Sequence, residues 1–575
     1  MRCESSEGKA VLTSRLRSGW LVGALLLCCA PVRAQTVAVQ AAAATQRPAD
    51  FDHPPALAQP PHGDVERPLS VRERPHPVLP ADAGPAFRVD RVVLDGVTVL
   101  PEAERVRLRS LVEGKSVRLR DLNVLTAAIE QAYRTRGYFL ARAAVPPQEV
   151  TSGTVRIVVS EGHYGILSIE GNEHYSTNFI RRFFAPALEG GLVRERPLLA
   201  ALVQLNQIPD LAAQSVLAPG KAKGTSDLTV RVKDEQPVHV SMDYNNLGSR
   251  LVGRNRVAIT VNAGRAFVEG DDMALRVSDP FPGGSDPFYQ ANYSRPIGSA
   301  YDRIAFLYAS AQTRVVGSGL DDLQIRGTAD IAGLSWQHPI VSRPDEQSSF
   351  SAGFQGKNLR NFVLNDTPTT HDKVREATAG YTLSQRKGKR QLAVSAQLYQ
   401  GLGTALGGSA SDQPTPSRVG AGDAFTKLTL DASAVQQLGD HDYLVLRASA
   451  QGATRPLVVA EQFAIGGLDS VRGFNQSVEL GDDGYSATLE ARHDILRKGP
   501  DTIQGAAFVD HGEIHLHNPQ AGEQASRGLT GWGVGLRAFL GTAATLRLDY
   551  GLPLSPNRDF DGEKGLLYAQ AAYRY

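Results

Sequence analysis

The sequence predicts a membrane-spanning β-barrel of 16 antiparallel strands preceded by two small α+β units, and three observations carry that prediction. From residue 238 to the end, polar and apolar side chains alternate in short runs separated by Gly, Asp, Asn and Ser clusters, the pattern of strands buried on one face. No later window holds the ~18 uninterrupted apolar residues of a spanning helix, whereas a barrel escapes that test because its strands alternate. The chain also opens with the marks of export: Lys9, Arg15 and Arg17, an apolar run from Trp20 to Ala30, then Val32-Arg33-Ala34 as a cleavage site.

Composition narrows the function classes. Lys+Arg 61 against Asp+Glu 60 gives a net charge of +1 over 575 residues, so no nucleic-acid partner is expected. All three cysteines (Cys3, Cys28, Cys29) precede residue 35, which leaves the rest without a disulfide framework or a cysteine metal site.

In chain order, residues 1–34 read as a cleavable signal peptide. Residues 35–85 form a leader in which Ala-rich Thr36 to Gln46 favours one short helix, and Pro54-Pro55, Pro60-Pro61 and Pro75 through Pro80 make an extended tether. A first unit, 86–162, has strand alternation at Phe87 to Val99, helical spacing at Glu102 to Glu113 and at Leu122, Leu125, Ile129 and Ala132, and Gly137 as a C-cap. Strands at Phe139 to Ala144 and Val155 to Val159 give the order β-α-α-β-β. A second unit, 163–236, repeats the plan, with helices at Asn178 to Phe184 and Pro197 to Asn206 and strands at Ala212 to Leu217 and Leu228 to Val232. Two serial copies of one small unit suggest a binding arm.

Within 237–575, sixteen runs start near residues 238, 255, 272, 288, 302, 325, 348, 375, 390, 424, 442, 483, 503, 530, 543 and 565. That spacing is about 21 residues per strand and connection, against the roughly 9–11 a spanning strand needs. An even count returns both ends to one side. The connection between runs 11 and 12 is long and holds Phe463 through Phe474; its Gly466, Gly467 and Gly473 permit tight paths into the lumen, with Val471 and Phe474 as apolar anchors. Arg472 would then need a partner. Phe508, Asp510 and Gly512 share one face of run 13. Alternation leaves two readings open: a lumen pair of Arg472 with Asp510, or an exposed loop arginine and an unrelated carboxylate. Asp510, His511, Glu513, His515 and His517 resemble a metal site, but a polar strand end explains them and nothing fixes a third ligand, so no metal or cofactor is expected. There is no G-x-S-x-G, H-E-x-x-H or phosphate loop, which argues for a non-enzyme.

These pieces together resemble the outer-membrane transporters of two-partner secretion, the TpsB or haemolysin secretion/activation type of the POTRA-barrel superfamily. The resemblance rests on Gly137-Tyr138, Arg142, Pro146, Gln148, Gly153 and Glu161-Gly162; on Glu170-Gly171-Asn172, Pro219-Gly220 and Gly224 to Leu228; and on Val471-Arg472-Gly473-Phe474 with Phe508-x-Asp510-x-Gly512. It implies that the two units are periplasmic POTRA domains, that the Arg472 loop enters the lumen and meets Asp510, and that the leader helix plugs the pore. It further implies location in a Gram-negative outer membrane and secretion of an unfolded, TpsA-like exoprotein (a β-helical adhesin or haemolysin) taken up by the POTRA domains, with Arg142 and Gln148 as contact residues. Outer-membrane lipid and the barrel assembly machinery are the other implied partners. Leu567, Ala569, Ala571, Tyr573 and Tyr575 resemble an outer-membrane assembly signal. The second reading is an insertase or assembly factor of the same superfamily.

Overall fold

The computed structural model describes residues 69–71 and 85–575, apart from residue 151 and the stretches 249–251, 282–286, 299–300, 316–320, 365–366 and 557–563. The signal peptide and the leader helix lie outside the described residues. The leader contributes one described strand, β1 (Leu69–Val71).

In the first unit, β2 (Phe87–Val89), β3 (Arg91–Asp95), β4 (Lys115–Val117), β5 (Arg142–Ala144) and β6 (Thr154–Ser160) surround α1 (Glu102–Arg109) and α2 (Leu119–Arg134). The single strand expected from Phe87 to Val99 is two, and β2 pairs with the short β4 between the helices, while β3, β6 and β5 make a three-stranded sheet. The helices bury Leu108, Leu122, Leu125, Ile129 and Tyr133 against Val92, Val155 and Ile157, which is the face their 3.6-residue spacing selects. Gly137 follows α2 with φ +87°, and Tyr138 N–H donates to Tyr133 O at 3.0 Å, turning the chain out of the helix. At the centre, buried Glu161 accepts from Thr98 N at 2.6 Å, Val99 N at 3.1 Å, the Thr98 hydroxyl and Tyr133 OH.

The second unit comprises β7 (His163–Glu170), α3 (Thr177–Leu188), α4 (Glu195–Leu205), β8 (Leu211–Pro219) and β9 (Thr225–Asp234). Its sheet order is β1-β8-β9-β7, so the leader strand adds parallel to the outer edge of β8, Leu69 opposite Ser215 and Val71 opposite Leu217.

The remaining strands close a 16-stranded antiparallel barrel. They are β10 (Val238–Asn245), β11 (Asn255–Gly264), β12 (Asp272–Phe281), β13 (Phe288–Ile297), β14 (Asp302–Arg314), β15 (Arg326–Ser342), β16 (Glu346–Val363) and β17 (Thr367–Lys387). There follow β18 (Arg390–Gly401), β19 (Thr426–Gln437), β20 (Asp442–Ala453), β23 (Asp483–Lys498), β24 (Asp501–His515), β25 (Ser526–Leu540), β26 (Ala544–Pro553) and β27 (Leu566–Arg574). Two short strands, β21 (Phe463–Ile465) and β22 (Glu479–Gly481), pair with each other inside the connection 454–482.

Alternation places the faces. On β23, Ser486, Thr488, Glu490, Arg492 and Asp494 are buried in the lumen while Tyr485 and Leu489 face out. The seam joins β10 to β27 from Ser241–Arg574 to Asn245–Gln570. Beyond the last pair the Asn246 side chain carries the ladder on, donating to Leu567 O at 2.8 Å and accepting from Ala569 N at 2.8 Å.

The second unit sits on the turn end of the barrel. Glu269, in the β11–β12 turn, accepts from Ser176 N at 2.6 Å and Ser176 Oγ at 2.9 Å, so a carboxylate caps the N-terminus of α3. Tyr301 OH donates to Phe183 O at 2.7 Å, and Gln204 of α4 donates to Ser342 Oγ at 2.7 Å.

Candidate functional site

The connection 454–482 leaves β20 at the end away from the α+β units and folds back into the lumen. Its path depends on glycine: Gly466, Gly467 and Gly473 have φ of +102°, +100° and +101°, a region costly for other residues. At Gly473 a side chain would also stand 2.7 Å from the Leu552 carbonyl carbon. Val471 and Phe474 pack with Ile465 of the same loop against Ile514 and Leu529 of the wall.

Between these anchors lies Arg472, fully buried. Its Nε and Nη2 donate to the two Asp510 oxygens at 2.7 and 2.8 Å, and its backbone N–H donates to Asp510 at 3.0 Å. Nη1 reaches Glu490 at 2.8 Å and Asp549 at 3.2 Å. The guanidinium carbon stands 3.2 Å from the Phe508 ring centroid. A planar fork matches a carboxylate and stacks on a ring at once, which an ammonium cannot do. The three residues of the wall motif thus divide the work: Phe508 stacks, Asp510 pairs, and Gly512 leaves room, since a Cβ there would lie 3.1 Å from both Ile465 and Val471 methyl carbons. The Tyr568 hydroxyl receives Gly473 N–H at 2.9 Å and donates to Phe474 O at 2.6 Å, fixing the loop's main chain.

Sequence reasoning reached Asp510 but missed the rest of the charge set. Arg537 pairs with Asp549 at 2.5 Å and Glu490 at 3.1 Å, Arg547 with Asp549 at 2.9 Å, Arg492 with Glu490 at 2.6 Å, and Arg447 approaches Glu490 at 3.8 Å. Five arginines share three carboxylates, a lumen patch with excess positive charge. Arg447, Arg537 and Arg547, like Glu490 and Asp549, stand at inward positions of strands whose outward neighbours are apolar, a signal readable from alternation.

A second clamp was also missed. Glu461 of the loop sits between Lys357 and Lys427, 2.5 Å from each, with Glu376 2.9 Å from Lys357. Asp482, where the loop rejoins the wall, takes both oxygens onto Arg418 Nη1 at 2.6 and 2.5 Å. Arg418 belongs to the connection 402–425 at the same end, so two loops fold over the lumen together. Beneath them a cavity of about 650 Å³ remains, lined by Ser349, Thr382, Ser395, Ser433 and Arg447, with Asp469 of the loop above and Gln204 of α4 and Gln207 just after it below.

Arg142 and Gln148, expected to touch cargo, are engaged with their own domain. Arg142 Nη1 donates to Ala141 O at 3.1 Å; the Gln148 amide pairs with the main chain of Arg156, donating and accepting at 2.8 Å, as an extra rung beside β5. Around His511, His515 and His517, no group of three or more His, Cys, Asp or Glu side chains is arranged to hold a metal among the described residues.

Residues 224–538 match the profile of the haemolysin secretion/activation protein ShlB/FhaC/HecB, and residues 87–162 that of the ShlB-type POTRA domain. The chain belongs to the ShlB/FhaC/HecB family. It is an outer-membrane transporter of the two-partner secretion type, with its POTRA domains in the periplasm. Among its relatives are the hemolysin transporter protein ShlB of Serratia marcescens, 25% identical over 82% of this chain and 81% of that one. The heme/hemopexin transporter protein HuxB of Haemophilus influenzae is 24% identical over 69% and 70%. In fold the chain is similar to CdiB from Escherichia coli, with a TM-score of 0.73 at 20% identity over 95% and 98% of the two chains. CdiB from Acinetobacter baumannii superposes with a TM-score of 0.65 at 19% identity over 98% and 100%. The loop-bearing end of the barrel is therefore extracellular and the POTRA end periplasmic.

Proposed function

We propose that the POTRA units capture an unfolded, haemolysin- or adhesin-like exoprotein by strand addition and feed it through the lumen once the Arg472 loop shifts. The observation that carries this reading is β1: a three-residue segment from outside the sheet already runs as a strand along β8. Main-chain hydrogen bonds at such an edge give affinity with little demand on sequence, which suits a chain that has not folded. We place cargo on this edge rather than on Arg142 or Gln148, whose polar groups serve the domain. The lumen beneath the loop is lined with Ser, Thr and Gln, so no single contact holds a passing chain. The sequence has no ATP-binding motif, and folding of the cargo outside, with burial of its apolar surface, makes the passage one-way. The insertase reading needs a seam that opens; here the seam is paired and extended by Asn246.

The test is deletion of residues 86–236 with a barrel that still inserts. Secretion of cargo should fall to background while the heat-modifiable barrel band stays at wild-type abundance; normal secretion would exclude a receiving role for the arm.

A further inference from the structure

We propose that the outer wall of the barrel carries, at its extracellular rim, a binding site for the phosphorylated headgroup of an outer-leaflet glycolipid. The inference depends on the outer-membrane location and not on the cargo pathway.

On the strands β16 and β17 the outward face is apolar up to a fixed height and basic above it. Phe350 and Phe354 on β16 and Tyr381 on β17 face outward and are exposed. Above them the outward positions are Arg375 and Lys373 on β17 and Arg360 on β16. The direction follows from alternation, because Asp372, Val374 and Glu376 are buried against the lumen side. Ladder register puts the three cations on successive rungs: Arg375 opposite Gly356, Lys373 opposite Asn358, and Arg360 opposite His371.

Height identifies the solvent they meet. The stretch from Leu383 to Arg375 spans ~26 Å of strand, or ~20 Å along the membrane normal at a tilt of about 40°, close to the ~25 Å apolar band of such barrels. Arg375 and Lys373 thus stand where acyl chains give way to headgroups. Tyr308, on the rung above exposed Leu334, marks the same boundary on β14.

The Arg375 guanidinium lies flat across β16. Nη1 donates to Lys357 O at 2.9 Å and Val374 O at 2.8 Å, and Nη2 to Asn358 Oδ1 at 2.7 Å. Gly356 lies directly under the side chain, where a Cβ would touch Nη1 at 3.4 Å, an ordinary contact distance.

The same rim sets Arg314 of β14 directly opposite Arg326 of β15, which adds two cations to this side. Asp330, on the same face of β15, accepts from Ser310 Oγ at 2.7 Å. Around the rim the sign reverses, with exposed Asp279 on β12 and half-buried Glu513 on β24 at outward positions. Phosphate groups at headgroup height complement the β14–β17 side and are repelled by the other.

The experiment is native mass spectrometry of the full-length barrel in detergent, titrated with diphosphoryl lipid A and with the same lipid stripped of phosphate. Wild type should bind the phosphorylated lipid at least tenfold more tightly than the stripped one. The triple variant Arg360→Gln, Lys373→Gln, Arg375→Gln should lose that preference, and Asp279→Asn with Glu513→Gln should keep it. Heat-modifiable mobility reports folding; if the triple variant does not fold, Lys373→Gln alone should weaken binding about threefold. Equal binding by wild type and variant, equal binding of stripped lipid, or displacement of the lipid by an equal concentration of inorganic phosphate would each overturn the assignment. Secretion of cargo, measured on the same variants, is expected to persist, so loss of the lipid site and loss of transport are read separately.

Discussion

Arg472 is the residue on which the closed lumen turns. It is a buried cation with three carboxylates and an aromatic face around it, and removing one member of such a set leaves the others uncompensated. Arg472→Ala should therefore cost more than its own contacts, since Asp510 would keep its charge without its fork. A double-mutant cycle isolates the pair: Arg472→Ala with Asp510→Ala should cost about 1.5–3 kcal/mol less than the single losses summed, read from denaturant unfolding of the folded barrel. Strict additivity would show that Glu490 and Asp549 hold Arg472 without help from Asp510. The pairing with Asp510 was within reach of the sequence because an isolated carboxylate stood between Phe508 and Gly512 on one face. Glu490 and Asp549 were not, because which strands converge on one point of a lumen is set by barrel closure and not by neighbours in the chain.

Among elements, the POTRA units show how a short strand and a buried acid shape behaviour. β1 holds an edge that an arriving chain would need, so loosening it should favour cargo. Ser70→Pro, which puts a residue poorly suited to a strand at the middle of β1, should raise affinity for an extended cargo peptide severalfold in equilibrium binding to the full-length transporter; unchanged affinity would mean that cargo docks elsewhere. In the first unit, burial works against the charge on Glu161, but hydrogen bonds from the Thr98 hydroxyl, Tyr133 and the Thr98 and Val99 N–H groups outweigh it and hold the carboxyl below its usual range. A folded pKa below the unfolded one stabilises above the unfolded value, about 4.3, and that stability is lost as pH falls through the folded value. Hydrogen-exchange protection over 87–160 should be full at neutral pH and decline below about pH 4. Glu161→Gln should cost roughly 1–3 kcal/mol at neutral pH and flatten the acid limb. The strands themselves were largely legible: β10 to β14 begin at residues 238, 255, 272, 288 and 302, where the alternation starts. The largest difference is β17, expected from 375 and found from Thr367. Its first turns, Thr-Pro-Thr-Thr-His-Asp-Lys, rise above the apolar band where both faces are polar, so period two has nothing to mark. The split of β2 from β3 escaped for a related reason: Asp90 is a lone polar residue in an apolar run, which reads as alternation rather than as a break.

At the scale of the whole molecule, both ends of the barrel carry segments that reach the lumen. Outside, the connections 402–425 and 454–482 fold over it and are tied together through Arg418 and Asp482; on the periplasmic side, Gln204 of α4 and Gln207 just beyond it line the cavity of about 650 Å³. The Arg472 loop lies in the path of a chain crossing the lumen, so transport requires that it move. The charges show which part of the outer cover can do so without unfolding the barrel. The Arg472 set is buried among five strands and a tyrosine, whereas Glu461 is held by two lysines on β16 and β19, and replacing its charge leaves every barrel ladder intact. Glu461→Gln removes both ion pairs and keeps the shape, and it should free the early half of the loop while Arg472 keeps the late half in place. In planar bilayers that variant should open more often than wild type, with similar single-channel conductance, because the pore's width is still set by the Arg472 anchor. Arg472→Ala should instead raise the conductance itself. If the two variants behaved alike, the loop would move as one body and the Glu461 clamp would be part of the same lock; if Glu461→Gln were silent, the opening would belong to α4 and the periplasmic side.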